Sequence, residues 1–417
     1  REPTQQAETP ALPKATITLP VPAIDAPNEQ LQNEAVTEIE ALQSRLPRHP
    51  GALHVAAMLY AGLQQTEKAE ETWRQCIALD PRYVGPRVGL ASVLTGRGRD
   101  EEAAQILDSA ISDDCVSPQA YHLLAEVLTK LGNLVEAEDT LKKGIARYPN
   151  IPQLWALLGQ TQNQRQQFAE AETSLRKALD LGHNSPTIYF ALSNACIRQG
   201  KKDEAAKFRK RFSEMKADAS KTIEDQPFHE RYGGALRPMV TGTLGRAAAV
   251  YAKESQHSEA ERLFLRALSL MPESPQVLRE LSALYLRTGR VADSRAVHER
   301  LVQLEPENAL NHINLAGIAA QLGDTARAQA ALEHAIELMP NSALPRIGLA
   351  QVLLQKGDFQ QARSMAESSI RLTPTAQGYG VLAAASDAMG DGATAKIAAE
   401  MAQRLAPEDP AQQQTAP

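Results

Sequence analysis

Apolar and polar residues alternate with a period of two over only one short stretch of this chain, Ala15–Leu19. Such alternation marks a half-buried strand. Elsewhere it is missing, and Ala, Leu, Gln, Glu and Arg dominate, residues that lose little side-chain entropy in a helix. The chain therefore reads as all-α. A longer pattern overlies this one. A leucine-x-proline signal, or a close variant, recurs at Leu79-Asp80-Pro81, Arg147-Tyr148-Pro149, Leu270-Met271-Pro272, Leu304-Glu305-Pro306, Leu338-Met339-Pro340 and Leu372-Thr373-Pro374. Pro272, Pro306, Pro340 and Pro374 are spaced 34 residues apart, and Pro81 and Pro149 are two such steps apart. A fixed period of this length marks stacked supersecondary units.

Within each period stand a bulky residue, a Leu-small pair, an aromatic, then Ala, Leu or an aromatic, Ala and Pro. One repeat shows Trp155, Leu158-Gly159, Ala171, Leu175 and Ala178. Another shows Ala247-Ala248, Tyr251, Ala260, Phe264, Ala267 and Pro272, and a third Leu281-Ser282, Tyr285, Gly289, Leu301 and Pro306. This signature resembles that of the tetratricopeptide-repeat (TPR) family. The fold so implied is all-α, a right-handed superhelical solenoid of antiparallel helix pairs, helix A and helix B in each repeat, with one insertion between two repeat arrays. Complete repeats start near residues 50, 84, 118, 152 and 186, then 241, 275, 309, 343 and 376. The resemblance covers everything but two tails and the insertion.

The resulting organisation is a Pro-rich linker or stalk over 1–27, a capping half repeat over 28–49 and a first array over 50–216. An insertion loop follows over 217–240, then a second array over 241–407 and a disordered tail over 408–417. Helix B of the fifth repeat is expected to run to about Ala219, after which Pro227, Gly233-Gly234 and Pro238 force a loop. Small residues at Ala57, Ala91, Ala125, Gly159, Ala248, Ala316 and Ala350 allow helix A to approach helix B closely, and Ala69, Ala137, Ala171, Ala260 and Ala328 answer from helix B. Gly98, Gly132, Gly200, Gly289, Gly323 and Gly357 are placed to end helix A in a left-handed conformation. Ser117-Pro118, Ser185-Pro186 and Ser274-Pro275 supply N-caps and first-turn prolines.

Charge and composition narrow the function. The net charge is −6, with both signs mixed along the chain. No basic stripe replaces phosphate counterions, so nucleic acid is not an expected partner; Lys207–Arg211 lies near a helix end, where the dipole favours cations. Cys76, Cys115 and Cys196 make neither a disulfide framework nor a C-x-x-C pair. No apolar run reaches membrane-spanning length. The absence of an initiator methionine, the Pro-rich start and the lack of a cysteine framework suggest an exported, extracytoplasmic bacterial protein over a cytoplasmic one.

The sequence offers no catalytic constellation: no H-E-x-x-H, Gly-rich phosphate loop or G-x-S-x-G is present. His298, His312 and His334 lie in neighbouring repeats but are not spaced as metal ligands. Neither an enzyme nor a cofactor is expected. The resemblance implies a protein-interaction scaffold that binds a peptide or helix of a partner protein in a concave groove lined by helices A. The alternative is a structural or assembly subunit of an exported or membrane-tethered complex, with the Pro-rich stretch as tether. At the groove offsets stand Leu286, Leu310, Ile313, Leu344, Ile347 and Leu354 in the second array, which predict an apolar strip. A one-residue shift in the offsets would instead make them hairpin core. In the first array Asn163, Asn194 and Arg198 resemble part of the family's carboxylate clamp, but His54 and Met58 stand where its lysines belong. A further alternative fills the groove with the insertion, through Phe228, Tyr232, Leu236 and Met239.

Overall fold

The computed structural model describes residues 15–113, 117–224 and 236–406. Among them are 21 helices and no strand. They fall into two compact units, residues 26–250 and residues 251–417 together with 1–25. The expectations for Cys115, Pro227, Phe228, Tyr232, Gly233-Gly234, the start of the Pro-rich stretch and the tail after 407 lie outside the described residues.

In the first unit, α1 (Asn28–Arg45) precedes the first pair, and its stripe of Leu31, Ala35, Ile39 and Leu42 is wholly buried. Five A/B pairs follow: α2 (Pro50–Gly62) with α3 (Thr66–Leu79), α4 (Val84–Gly96) with α5 (Asp100–Ser112), α6 (Pro118–Lys130) with α7 (Leu134–Arg147), α8 (Pro152–Gln164) with α9 (Phe168–Asp180), and α10 (Pro186–Arg198) with α11 (Lys202–Glu224). Each A helix packs on its own B helix, and α2, α4, α6 and α8 each also touch the next A helix. Helix α12 (Leu236–Lys253) begins in this unit, which ends at Val250. The expected loop over 217–240 is therefore helical at both ends, up to Glu224 and again from Leu236. Pro238 does not break α12 because it sits in the first turn, where its missing N–H has no intrahelical acceptor to lose.

The second unit continues with α13 (His257–Leu270), then pairs α14 (Pro275–Arg287) with α15 (Val291–Leu304), α16 (Ala309–Gln321) with α17 (Thr325–Leu338), α18 (Leu344–Lys356) with α19 (Phe359–Leu372), and α20 (Ala376–Ala388) with α21 (Gly392–Leu405). Close A–B approach rests on the small residues: Ala57, Ala69, Ala91, Ala125, Ala137, Ala171, Ala328 and Ala350 have no exposed surface. At Gly159 an added Cβ would come 3.0 Å from the Ala171 carbonyl oxygen and closer still to Leu175 Cγ, so only glycine fits.

The left-handed residue after helix A recurs in every repeat. Glycine supplies it at 98, 132, 200, 289, 323, 357 and 390, but Gln64, Gln166 and Ser255 take positive φ of 61°, 63° and 58° at the same repeat position. Capping departs from expectation. Ser117 accepts from the Ala120 N–H, whereas Ser185 and Ser274 make no side-chain cap.

Repeats are also joined by ion pairs that the sequence reading did not anticipate. Glu70 of α3 accepts from Arg99 at 2.8 Å, Glu138 of α7 pairs with Arg165, Glu172 of α9 accepts from Lys201 at 2.7 Å, and Glu261 of α13 accepts from Arg290 at 2.7 Å. Farther along the sense reverses, with Arg363 of α19 donating to Asp391 at 2.9 Å. Burial pushes the carboxyls of Glu70, Glu138 and Glu172 up, but the hydrogen bonds from their cationic partners outweigh it and hold all three below the usual carboxylate range.

The Pro-rich stretch is not a free linker over its described part. Asp293, buried in the first turn of α15, accepts from the backbone N–H of Ile17 at 3.0 Å, the backbone N–H of Thr16 and the Thr16 hydroxyl at 2.9 Å. Arg290 donates to Thr16 Oγ1 at 3.0 Å, and the Ile24 N–H donates to the Ser269 carbonyl at the end of α13 at 2.8 Å. Ala15, Ile17, Leu19 and Val21 are half-buried while Thr16, Thr18, Pro20 and Pro22 are exposed. The period-two alternation in the sequence is thus the register of an extended strap laid across B helices.

Candidate functional site

The A-helix residues at the groove offsets divide into three groups. In the second unit a cleft of about 390 Å³ lies between α16 and α18, lined by Ile313, Gly317, Ala320, Leu344, Ile347 and Gln351 among others. Leu310 and Leu344, each at the start of its helix, are 54% and 49% exposed. Ile347 is 4% exposed, and Ile313 and Leu354 are half-buried against the core cluster of Ala316, Leu332 and Leu353. Ile313, Ile347 and the exposed Leu344 line the cleft, and Leu310 stands one turn before Ile313 on the same face of α16. Leu286 is 40% exposed on α14 but does not line this cleft.

The polar set behaves differently. Asn163 donates from Nδ2 to the Ala191 carbonyl at 2.9 Å, which ties α8 to α10. It is therefore used internally. Asn194 and Arg198 are exposed one turn apart on α10, with the Arg198 guanidinium 5.9 Å from the Phe168 ring centre.

The first repeat is occupied by the chain itself. A Cβ added to Gly51 would lie 3.3 Å from Val250 Cγ2, and one on Gly62 would overlap Met239 Sδ. These contacts stand 11 residues apart on both α2 and α12 and run in opposite order, so α12 crosses α2 antiparallel at its groove positions. Glycines at 51 and 62 admit a helix at close range. Of the four apolar anchors expected on the insertion, Met239 meets this groove and Leu236 opens α12. Between the two glycines sits His54. Its Nδ1 accepts from the Trp73 indole N–H at 3.0 Å, and its ring stands edge-on to Tyr83 at 5.1 Å. Burial chiefly, with the Arg246 guanidinium of α12 added, lowers its pKa to about 4.

Titratable clusters elsewhere are taken up in packing. His312 and His334 approach to 4.5 Å between ring centres, and His312 Nε2 bonds to the Pro306 carbonyl at 2.8 Å; His298 instead bonds Ser282 at 2.9 Å. Glu172, Cys196 and Glu204 place ligand atoms within 4.8 Å of one another. Glu172 is already engaged by Arg176, Lys201 and Gln199, at 2.8, 2.7 and 2.9 Å. Among the described residues no helix is long and apolar enough to cross a membrane.

Four family models described as Tetratricopeptide repeat match residues 50–83, 118–161, 156–212 with 246–309, and 319–385, together more than half of the chain. No curated protein matches it. Among solved structures, MamA is 20% identical over 38% of this chain and 93% of its own, with a TM-score of 0.36. "YrrB: a TPR protein with an unusual peptide-binding site" is 16% identical over 40% and 86%, with a TM-score of 0.35. A chain of the APC/C hetero-tetramer Cut9-Hcn1 is 16% identical over 88% and 89%, with a TM-score of 0.34.

Proposed function

Since the chain belongs to the tetratricopeptide-repeat family, we propose that it is a scaffold whose concave groove at α16 and α18 receives an apolar helix or peptide of a partner protein. The observation that carries this reading is the pair of exposed leucines, Leu310 and Leu344, set at a cleft of about 390 Å³ lined by Ile313 and Ile347. Large aliphatics held in water at a concave surface cost free energy that a partner's apolar face recovers. A helix laid in such a groove is a general recognition mode, and the contact of α12 with the groove face of α2 supports it from within the same molecule. Gly317 on α16 leaves room for a backbone to come close. The reading assigns no reaction to the chain. An assembly role with the Pro-rich stretch as tether has less support, because Thr16, Ile17 and Ile24 are bonded to α15 and α13.

The test is site-specific photocrosslinking in the native cell, with a photoreactive residue at 310, 344 or, as control, the exposed Glu333 of α17. The reading expects one protein to be captured from 310 and from 344 but not from 333. Capture of the same proteins from all three positions would overturn it.

A further inference from the structure

The crevice between neighbouring B helices is a second kind of surface, and the two units present it in two states. Between α13 and α15 it is crossed by residues 15–24, whose backbone N–H groups reach Asp293 and the Ser269 carbonyl. Between α5 and α7 it is an open cleft of about 550 Å³ with Leu124 and Leu128 of α6 in its lining. The two crevices correspond residue by residue. Glu136 is the third residue of α7, as Asp293 is the third of α15, and Asn133 precedes α7 as Arg290 precedes α15.

Their linings differ in charge. The sixth and seventh residues of α15 are Ala296 and the fully buried Val297, and the strap turns Ala15, Ile17, Leu19 and Val21 inward. At the same places α7 presents Asp139 and Thr140. Glu101 and Asp108 of α5 and Glu136 and Asp139 of α7 all line the open cleft, with Lys143 the one cation among its lining residues. None of those four carboxylates takes part in an ion pair or hydrogen bond among the described residues, whereas the seam carboxylates Glu70, Glu138 and Glu172 are each paired twice or more. Like charges converging beside apolar side chains focus a negative potential into the cleft.

We infer that the α5–α7 crevice binds an extended, lysine- or arginine-bearing segment of a partner protein, in the way α13 and α15 hold residues 15–24. Glu136 takes the role of Asp293, as acceptor for successive backbone N–H groups. Leu124 and Leu128 receive the inward side chains. Asp108 and Asp139 meet the cations, and the strap's own neutral sequence is thereby matched to its own crevice and not to this one. The site lies between two B helices, with Leu124 and Leu128 of α6 in its lining, and is distinct from the cleft between α16 and α18.

The probe is a fluorescent peptide with the strap's inward residues and lysines at three of its outward positions, Ala-Lys-Ile-Lys-Leu-Pro-Val-Lys-Ala-Ile, titrated into the full chain. The expected result is saturable binding. The double variant Glu136→Gln/Asp139→Asn should weaken it at least about tenfold, the scale of lost charge-assisted contacts. The control Glu307→Gln/Glu333→Gln, which removes the same net charge at exposed sites of the second unit, should leave it unchanged. Circular dichroism confirms that both variants fold. Equal weakening by both variants would show general attraction to an acidic protein and overturn the site, as would the absence of saturable binding or an unaffected Glu136→Gln/Asp139→Asn variant.

Discussion

The indole N–H of Trp73 donates to Nδ1 of His54 at 3.0 Å, within the electrostatic reach of the Arg246 guanidinium of α12. This bond requires Nδ1 to be unprotonated. Protonation would break it and set a cation against Arg246, with Tyr83 as the only other ring in contact among the described residues.

The first prediction is a pH dependence of that contact. His54 has a folded pKa of about 4, below the unfolded value of about 6.5. The folded protein therefore binds fewer protons between these values. Its stability is whole above about pH 6.5 and declines as pH falls towards the folded pKa. Thermal unfolding at pH 7 and pH 5 should show a fall for the native protein that is smaller in His54→Gln. Parallel falls in both would assign the dependence elsewhere.

The second prediction concerns the strap. Burial raises the Asp293 carboxyl, but hydrogen bonds from Arg290, Thr16 and Ile17 outweigh it and leave its pKa below the ordinary value. A depressed carboxylate contributes stability above its unfolded pKa, which is lost as pH falls through the folded one. At neutral pH, Asp293→Ala leaves the Thr16 and Ile17 N–H groups without their acceptor and Arg290 with Glu261 as its remaining carboxylate, and should cost about 2 kcal/mol. Hydrogen exchange at Thr16 and Ile17 should rise sharply, while α6 to α9 stay protected. Unchanged protection at those two amides would contradict the clasp.

The third prediction uses the repeat's left-handed position. Gln64, Gln166 and Ser255 occupy it with side chains that glycine elsewhere avoids. Replacing each with glycine should stabilise the protein by about 1 kcal/mol, the scale of the Cβ penalty in this conformation. Chemical denaturation of Gln166→Gly reads it directly; destabilisation would mean the glutamine side chain makes a compensating contact.

The architecture was legible because its determinants are local and periodic. The 34-residue spacing, the small residues that set helix approach and most of the left-handed glycines can be read without any tertiary knowledge. What could not be read depends on distant pairings. Nothing near Asp293 announces that Thr16 will reach it, although the alternation over Ala15–Leu19 was a signal for an extended, half-buried segment. Nothing in the sequence around Gly51 and Gly62 announces that α12 packs against them. The ion pairs from one B helix to the next repeat follow a spacing of nearly one repeat, Glu70 to Arg99 and Glu172 to Lys201 for example, and a search at that offset would have found them. At the groove offsets, the sequence alone could not tell the exposed Leu310 and Leu344 from the inward Ile313 and Ile347. That distinction depends on where the neighbouring hairpin lies.

The most direct test of the groove is Leu310→Glu combined with Leu344→Glu, measured for thermal stability and for retention of the protein crosslinked from these positions. Both side chains are about half exposed, so their charge should leave the melting temperature nearly unchanged, within about 2 °C. The account predicts a folded protein that no longer retains that partner. A folded double variant that retains it as well as the native chain does would contradict the account.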